Sequence, residues 1–87
     1  MNKTKKTEWK VVPGLASFEH LDLGLLRLEV HPFHASWRVQ LWAVNGGDDE
    51  LCIRVDERST IEEAKALGIA HAKAILTETS KALESVE

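Results

Sequence analysis

Apolar and polar residues alternate through the middle of the chain with the period of two that a half-buried β-strand requires. In the segment Leu25 to His31, the even positions are apolar and the odd positions from 27 onward carry Arg, Glu and His. The segment Ser36 to Val44 has its inward apolar set at odd positions, as does Leu51 to Asp56 beyond the Asn45-Gly46-Gly47-Asp48 turn. These three segments are predicted to form consecutive antiparallel strands.

Two shorter strands are predicted upstream, in the segments Glu8 to Val12 and Leu15 to His20. Pro13-Gly14 lies between them and is a strong turn signal. Residues 1–7 are polar and lysine-rich, and Met1 is their only apolar side chain. This composition predicts a flexible tail ahead of a single domain that spans residues 8–87.

The positions of the apolar residues restrict the loops that can join these strands. The inward set has even numbers in Leu25 to His31 and odd numbers in Ser36 to Val44, so a loop of even length must join the two strands. The four residues from Pro32 to Ala35 meet this condition and would place Val30 opposite Trp37. The next hairpin joins two odd sets and requires a loop of three or five residues. Its second strand is predicted to face inward through Leu51, Ile53 and Val55.

Thr60 to Val86 shows the 3.6-residue apolar period of one amphipathic helix. A capping box marks its start, formed either by Thr60 and Glu63 or by Ser59 and Glu62. A row of small residues allows the helix to approach the sheet closely: Ala64, Gly68 and Ala72. The sequence therefore predicts an α+β fold in which an antiparallel sheet of four or five strands packs against one long C-terminal helix.

The predicted helix is longer than the sheet that would cover it. About 27 helical residues span roughly 40 Å, whereas an eight-residue strand spans roughly 26 Å. The apolar stripe nevertheless continues to Leu83 and Val86. The early strands, another protein or a second copy of the chain must cover these last turns, and we expect a homodimer in which Leu83 and Val86 are the dimerisation residues.

Composition and charge exclude several classes of protein. The 87 residues are 44% hydrophobic and 29% charged, and no apolar run approaches the ~20 residues of a membrane span. No apolar segment follows the lysine-rich start, so a secretory signal is not expected. Cys52 is the only cysteine, which excludes an intrachain disulfide. We therefore expect a cytoplasmic protein that does not insert into membranes.

The sequence contains no pattern that indicates catalysis, a metal or a cofactor. His31 and His34 lie three positions apart in a predicted turn, with His20 and Asp22 upstream, but neither a helix nor a Cys pair aligns them as zinc ligands. Cys52 has no histidine or cationic partner evident in the sequence that would activate it as a nucleophile. We expect a protein that is not an enzyme and binds no cofactor.

An apolar patch is predicted on the outer face of the sheet. If the Gly-rich loop has five residues, Leu25, Trp42 and Cys52 come into line across three strands, with Val44 nearby. Apolar patches with a polar rim are typical of protein interfaces, and tryptophan is enriched at their energetic centres. The four residues are therefore candidates for binding a protein partner, with Trp42 the leading one. In the alternative interpretation, the N-terminal segment covers Trp42.

Nucleic-acid binding is the second functional hypothesis. A sheet of four or five strands followed by a long helix resembles, in the order of its elements, the Whirly and PUR single-stranded-DNA-binding proteins. That resemblance implies a dimer that binds through its sheet, where Trp42 would stack on bases and Arg27, Arg38 and Arg54 would contact the strand. The net charge of -3 argues against it, because a basic surface is the usual mark of such proteins.

A second resemblance covers most of residues 36 to 75. A tryptophan-bearing β-meander, a Gly-rich hairpin and a helix that opens as Ser59-Thr60-Ile61-Glu62-Glu63-Ala64-Lys65 are similar to small uncharacterised phage and prophage proteins. Such proteins commonly bind host or phage components. The resemblance implies a small interaction module that acts through protein–protein contacts with an unidentified partner.

Overall fold

The computed structural model describes residues 7–15, 17–44 and 50–86. Residues 1–6 of the predicted tail and the predicted turn at 45–48 lie outside the described residues. Within them the chain forms, in order, β1 (Lys10–Val11), β2 (Glu19–Asp22), β3 (Leu26–Phe33), β4 (Ser36–Val44), β5 (Glu50–Arg58) and α1 (Ile61–Glu84).

The strands form one antiparallel sheet in which each strand pairs with its neighbour in sequence, in the order β1-β2-β3-β4-β5. The helix α1 packs on one face of this sheet, against β3, β4 and β5. This arrangement confirms the predicted α+β fold. The face that carries α1 is called the inner face below, and the opposite face is the outer face.

The register of the β3–β4 hairpin differs from the prediction by two residues. Val30 pairs with Val39, and Phe33 pairs with Ser36, so the loop contains two residues instead of the four from Pro32 to Ala35. His34 makes this shorter turn possible because its φ of 58° lies in the left-handed region. A shift of two residues preserves the face of every side chain. The predicted inner face of β3 and β4 is therefore correct, although the predicted pairing is wrong.

The prediction that the apolar residues of β5 face inward is correct in register only for Leu51, which lies opposite Ala43 on the inner face, and it is wrong for Val55. Trp42 pairs with Cys52, but the preceding residue Leu41 pairs with Arg54, so a β-bulge leaves Ile53 without a partner on β4. One extra residue reverses the faces of the rest of the strand. Val55 consequently lies opposite Gln40 on the outer face. The predicted inward set is exposed throughout: Leu51, Ile53 and Val55.

The core lies between α1 and the inner face of β2, β3 and β4. Its buried apolar residues, among those described, are Leu21, Leu28, Val30, Val39, Leu41, Ala64 and Ala72. Gly68 is also buried, and a Cβ at this position would lie 2.8 Å from Val39 Cγ2. The predicted close approach of the small-residue row is confirmed.

Polar contacts fix the start of α1 and both of its sides. The Thr60 hydroxyl accepts a hydrogen bond from the Glu63 backbone N–H at 3.1 Å, which confirms the first of the two predicted caps. On one side of α1, Lys65 Nζ lies 2.7 Å from Glu19 Oε1 of β2. On the other side, His71 Nε2 lies 2.7 Å from Asp56 Oδ2 of β5. The bulge in β5 turns Asp56 toward the helix and so permits this second contact.

The helix extends beyond the sheet, as its length predicted. Its 24 residues span about 36 Å, and the strands of nine residues span about 30 Å. Ile75 is the last half-buried residue, and every residue of the range 76–86 is exposed. We call residues 76–86 the helix end. Leu83 and Val86 lie in this segment, and no described part of the chain covers them.

Candidate functional site

The four residues of the predicted outer patch do not come together as one surface. Trp42 pairs with Cys52 across β4 and β5, as the sequence predicted. The shifted β3–β4 register places Arg27 opposite Trp42, in the position predicted for Leu25. Leu25 instead precedes β3, where its carbonyl accepts a hydrogen bond from the Val44 backbone N–H at 2.8 Å. The prediction that Leu25 aligns with Trp42 and Cys52 is therefore wrong.

Arg27 covers the outer face around Trp42. Its guanidinium carbon lies 5.9 Å from the centre of the Trp42 ring. The same guanidinium donates two hydrogen bonds to the Glu50 carboxylate, at 2.6 and 2.9 Å, and its Nε lies 3.2 Å from Glu29 Oε2. Trp42 is half-buried beside this ion-pair network, whereas the described N-terminal residues pair at the edge of the sheet as β1. Among the described residues, this face is neither a bare apolar patch nor a surface covered by the N-terminal segment.

The Arg27–Glu50 pair makes stability depend on pH. The hydrogen bonds from Arg27 lower the pKa of Glu50 below its usual range, and the same contact raises the pKa of Arg27. A carboxylate whose folded-state pKa is depressed stabilises the fold above its unfolded value of about 4.3. That contribution is lost as pH falls through the lower, folded-state pKa.

We expect the urea denaturation midpoint to fall less steeply with decreasing pH in Glu50→Gln than in the wild type. The measurement is the denaturation midpoint between pH 7 and pH 2.5. The variant lacks the titrating group and should be less stable than the wild type at pH 7, with the gap closing under acid. Two curves that run parallel through the acid range would show that the pair does not couple folding to protonation.

The arginines proposed for nucleic-acid contact lie on opposite faces. Arg27 and Arg38 are on the outer face, where Arg38 is paired with Glu57 at 3.2 Å and its guanidinium carbon lies 3.5 Å from the centre of the Phe33 ring. Arg54 pairs with Leu41, a residue of the helix-side core, and therefore belongs to the inner face. These groups do not form one basic stripe.

The predicted turn histidines take separate structural positions. His31 stacks on Phe18 with ring centroids 4.5 Å apart, and His34 occupies the β3–β4 turn. His20 is in β2, and its Nδ1 lies 3.7 Å from Asp22 Oδ1 of the same strand. Among residues 7–15, 17–44 and 50–86, no three His, Cys, Asp or Glu side chains are grouped as metal ligands. The Cys52 thiol is half-buried and lies 3.6 Å from the Arg54 carbonyl.

An apolar groove of about 600 Å³ lies between α1, the β2–β3 turn and the N-terminal residues. The turn is tight because Gly24 has a φ of 88° and the Leu23 N–H donates to the Leu26 carbonyl at 2.8 Å. We call this the apolar groove, and its lining residues are Thr7, Trp9, Leu21, Leu23, Leu25, Leu26, Ile69, Ala72, Lys73 and Leu76.

The composition of the apolar groove indicates what it can bind. Lys73 is the one charged side chain among the described residues that line it. Leu25 and Leu76 are 76% and 61% exposed, so the groove is open to solvent along the side where α1 leaves the sheet. A volume of this size with apolar walls falls within the range of natural ligand sites. The helix end, with Leu83 and Val86, continues directly from its rim.

Sequence reasoning did not find the apolar groove, although one signal was present. Leu21, Leu23, Leu25 and Leu26 crowd around Gly24, and a tight turn cannot bury all of its leucines. Trp9 and Ile69 line the groove only because the N-terminal residues lie close to α1. This is a tertiary contact, and it leaves no periodic pattern in the sequence.

Within the described residues, no helix is long and apolar enough to cross a membrane. Comparisons with protein-family models, with curated proteins and with solved structures gave no match for this chain. The similarity to phage and prophage proteins therefore stays a prediction from sequence.

Proposed function

We propose that this protein is a small binding module that acts through protein–protein contacts and carries out no catalysis. The observation that carries this proposal is the helix end, which leaves the sheet beside an open apolar groove. A helix segment whose apolar stripe contacts no other described residue is only marginally stable in water, and a domain of this size has few other contacts to stabilise it. A protein partner would cover both surfaces.

The small core supports the same conclusion. Among the described residues, seven apolar side chains are buried, whereas ten large apolar side chains are exposed. Scattered exposed leucines are normal on a protein surface, but contiguous ones mark interaction sites. Three exposed leucines share the apolar groove, Leu23, Leu25 and Leu76, and two more exposed apolar residues follow on the helix end, Leu83 and Val86. These residues form the proposed interface, and they share only Leu25 with the patch predicted from sequence.

The first partner that we propose is a second copy of the chain. Homodimers with two-fold symmetry are the most common soluble oligomers, and they form when one surface complements itself. The helix end supplies a protruding apolar element, and the apolar groove supplies a concave one. Leu83 and Val86 keep the role of dimerisation residues that their sequence positions suggested.

We expect light scattering at micromolar concentration to give about twice the 9.7 kDa mass of the chain. Leu83→Glu should weaken the dimer at least tenfold, because a carboxylate would then be buried in an apolar contact. Ala74→Glu is the matched control: it adds the same charge on the exposed side of α1, half a turn from the stripe, and should leave the mass unchanged. A wild-type monomer at every accessible concentration would refute the homodimer.

The nucleic-acid alternative receives less support from the geometry. Each outer-face arginine is already paired with a carboxylate, and Arg54 lies on the other face. Binding to single strands would require these ion pairs to open, which reduces the gain from each phosphate contact. Salt-sensitive binding of a single strand at about 50 mM salt would nevertheless favour this function over the proposed one.

A further inference from the structure

One stripe of residues connects the apolar groove with the helix end. Its members are spaced by three and four residues in alternation, the spacing of the contact positions in a coiled coil. The first three line the apolar groove and the last three lie beyond the sheet: Ile69, Ala72, Leu76, Thr79, Leu83 and Val86. The groove-facing side of α1 therefore continues through Thr79 and Leu83 to the end of the helix at Glu84, and Val86 follows directly after the C-cap residue Ser85.

We propose that the apolar groove is a binding site for the helix end of a second copy, in an antiparallel and reciprocal arrangement. The inference rests on the proposed homodimer and specifies its geometry. In each protomer, the partner's Leu83 would lie against Ala72 and the partner's Val86 against Ile69. Each groove is then completed by residues of the partner's helix end.

The antiparallel direction follows from the position of the groove. The apolar groove flanks residues 69–76 of α1, and the uncovered segment follows it. An antiparallel partner brings its own uncovered segment alongside the groove, so that both grooves and both helix ends are buried. A parallel partner would match helix end with helix end and leave both grooves open to water.

Charge complementarity supports the same direction. Lys73 is the charged residue on the rim of the apolar groove. An antiparallel partner places the C-terminal end of its helix, with its partial negative charge, near this ammonium group. Glu84 lies next to Leu83 on the partner's helix end and adds a carboxylate to that region. A parallel arrangement would keep Lys73 away from both groups.

The exposed apolar area is sufficient for a dimer. The five exposed side chains of the proposed interface are between 39% and 76% exposed and together equal about three fully exposed leucines. At about 30 Å² per methylene they contribute roughly 400 Å² per chain. Since about 65% of a homodimer interface is apolar, two chains would bury roughly 1,200 Å² in total. This value lies at the lower end of the range for stable interfaces.

Cysteine cross-linking tests the arrangement in the full chain. In a Cys52→Ser background, Ala72→Cys and Leu83→Cys proteins are oxidised separately and as a mixture. The proposed pairing brings residue 72 of one protomer within disulfide reach of residue 83 of the other. Identical positions would then lie on the order of 16 Å apart along the helices. The mixture should therefore give at least ten times more covalent dimer than either protein alone.

The possible results separate the arrangement from the homodimer itself. Efficient cross-linking of Leu83→Cys alone would indicate parallel helices and would overturn the proposal, although the homodimer would stand. A dimer by light scattering without any cross-link would likewise overturn the groove assignment alone. A monomer that retains a co-purified amphiphile would refute both the homodimer and the helix arrangement. It would assign the groove to a small amphiphilic ligand. Matching circular dichroism spectra establish that both cysteine variants are folded.

Discussion

Leu28→Ala is expected to remove a large part of the stability of this domain. Leu28 is completely buried between the sheet and α1, with its Cδ2 atom 3.1 Å from the Cβ position of Gly68. Truncation of a buried leucine costs about 2 to 5 kcal/mol through lost burial and the cavity that remains. A domain of this size has a total stability of only about 4 to 12 kcal/mol. Urea denaturation should show a much lower midpoint or no folded baseline.

Leu51→Ala is the control for this prediction. Both leucines lie on strands of the same sheet, but Leu51 is 69% exposed and lies outside the proposed interface. Its truncation should change the free energy of unfolding of the monomer by about 0.5 kcal/mol or less. A comparable loss of stability in both variants would mean that the core is not where the structure places it.

Gly68→Leu is expected to prevent α1 from docking on the sheet. Even a Cβ at this position would lie 2.8 Å from Val39 Cγ2 and 3.1 Å from Leu28 Cδ2. A leucine would add three further carbons into the same space, and overpacking of this kind costs about 1 to 3 kcal/mol or more. The gain in helix propensity over glycine, up to about 1 kcal/mol, is too small to offset this cost. The melting temperature should fall by roughly 5 to 15 degrees.

Ala66→Leu separates packing from propensity. It introduces the same side chain two residues earlier in α1, at an exposed position. We expect its melting temperature to stay within a few degrees of the wild type. If the melting temperature of Gly68→Leu were the same as that of Ala66→Leu, the close contact between α1 and β4 could not be present in solution.

The sequence predicted the elements and the faces of this fold better than their pairing. The segment Ser36–Val44 is a strand with the predicted bounds, because the alternation of polar and apolar residues from Ser36 to Leu41 is typical of a half-buried strand. The β3–β4 register was missed by two residues because parity cannot distinguish loops of two and four residues. The choice depends on His34, which adopts a left-handed conformation that its residue type does not require.

The periodicity of the sequence also could not predict the bulge in β5. Apolar residues at 51, 53 and 55 predict that all three side chains face inward. The extra residue at the bulge reverses the face of every side chain that follows it in β5. The structure instead turns Asp56 inward, where it contacts His71 at 2.7 Å. This contact joins residues from two elements, and neither residue signals the other in the sequence.

The sequence predicted only the part of the candidate site that follows from the length of the helix. Residue counts alone show that the apolar stripe is longer than the sheet, and this comparison predicted Leu83 and Val86 as uncovered residues. The apolar groove forms where the β2–β3 turn, the N-terminal residues and one side of α1 meet. The outer patch was overestimated because Arg27, two residues beyond Leu25, takes the place opposite Trp42. Its ion pairs make that face polar.

Hydrogen exchange of the helix end as a function of protein concentration tests most directly whether a protein partner covers this surface. Isolated short helical segments are marginal in water, so the amides of residues 76–84 should exchange rapidly in a monomer. We predict that their protection rises with concentration as dimers form, and that Leu83→Glu abolishes the rise. Rapid exchange that stays the same at every concentration, in both proteins, would contradict the proposed interface.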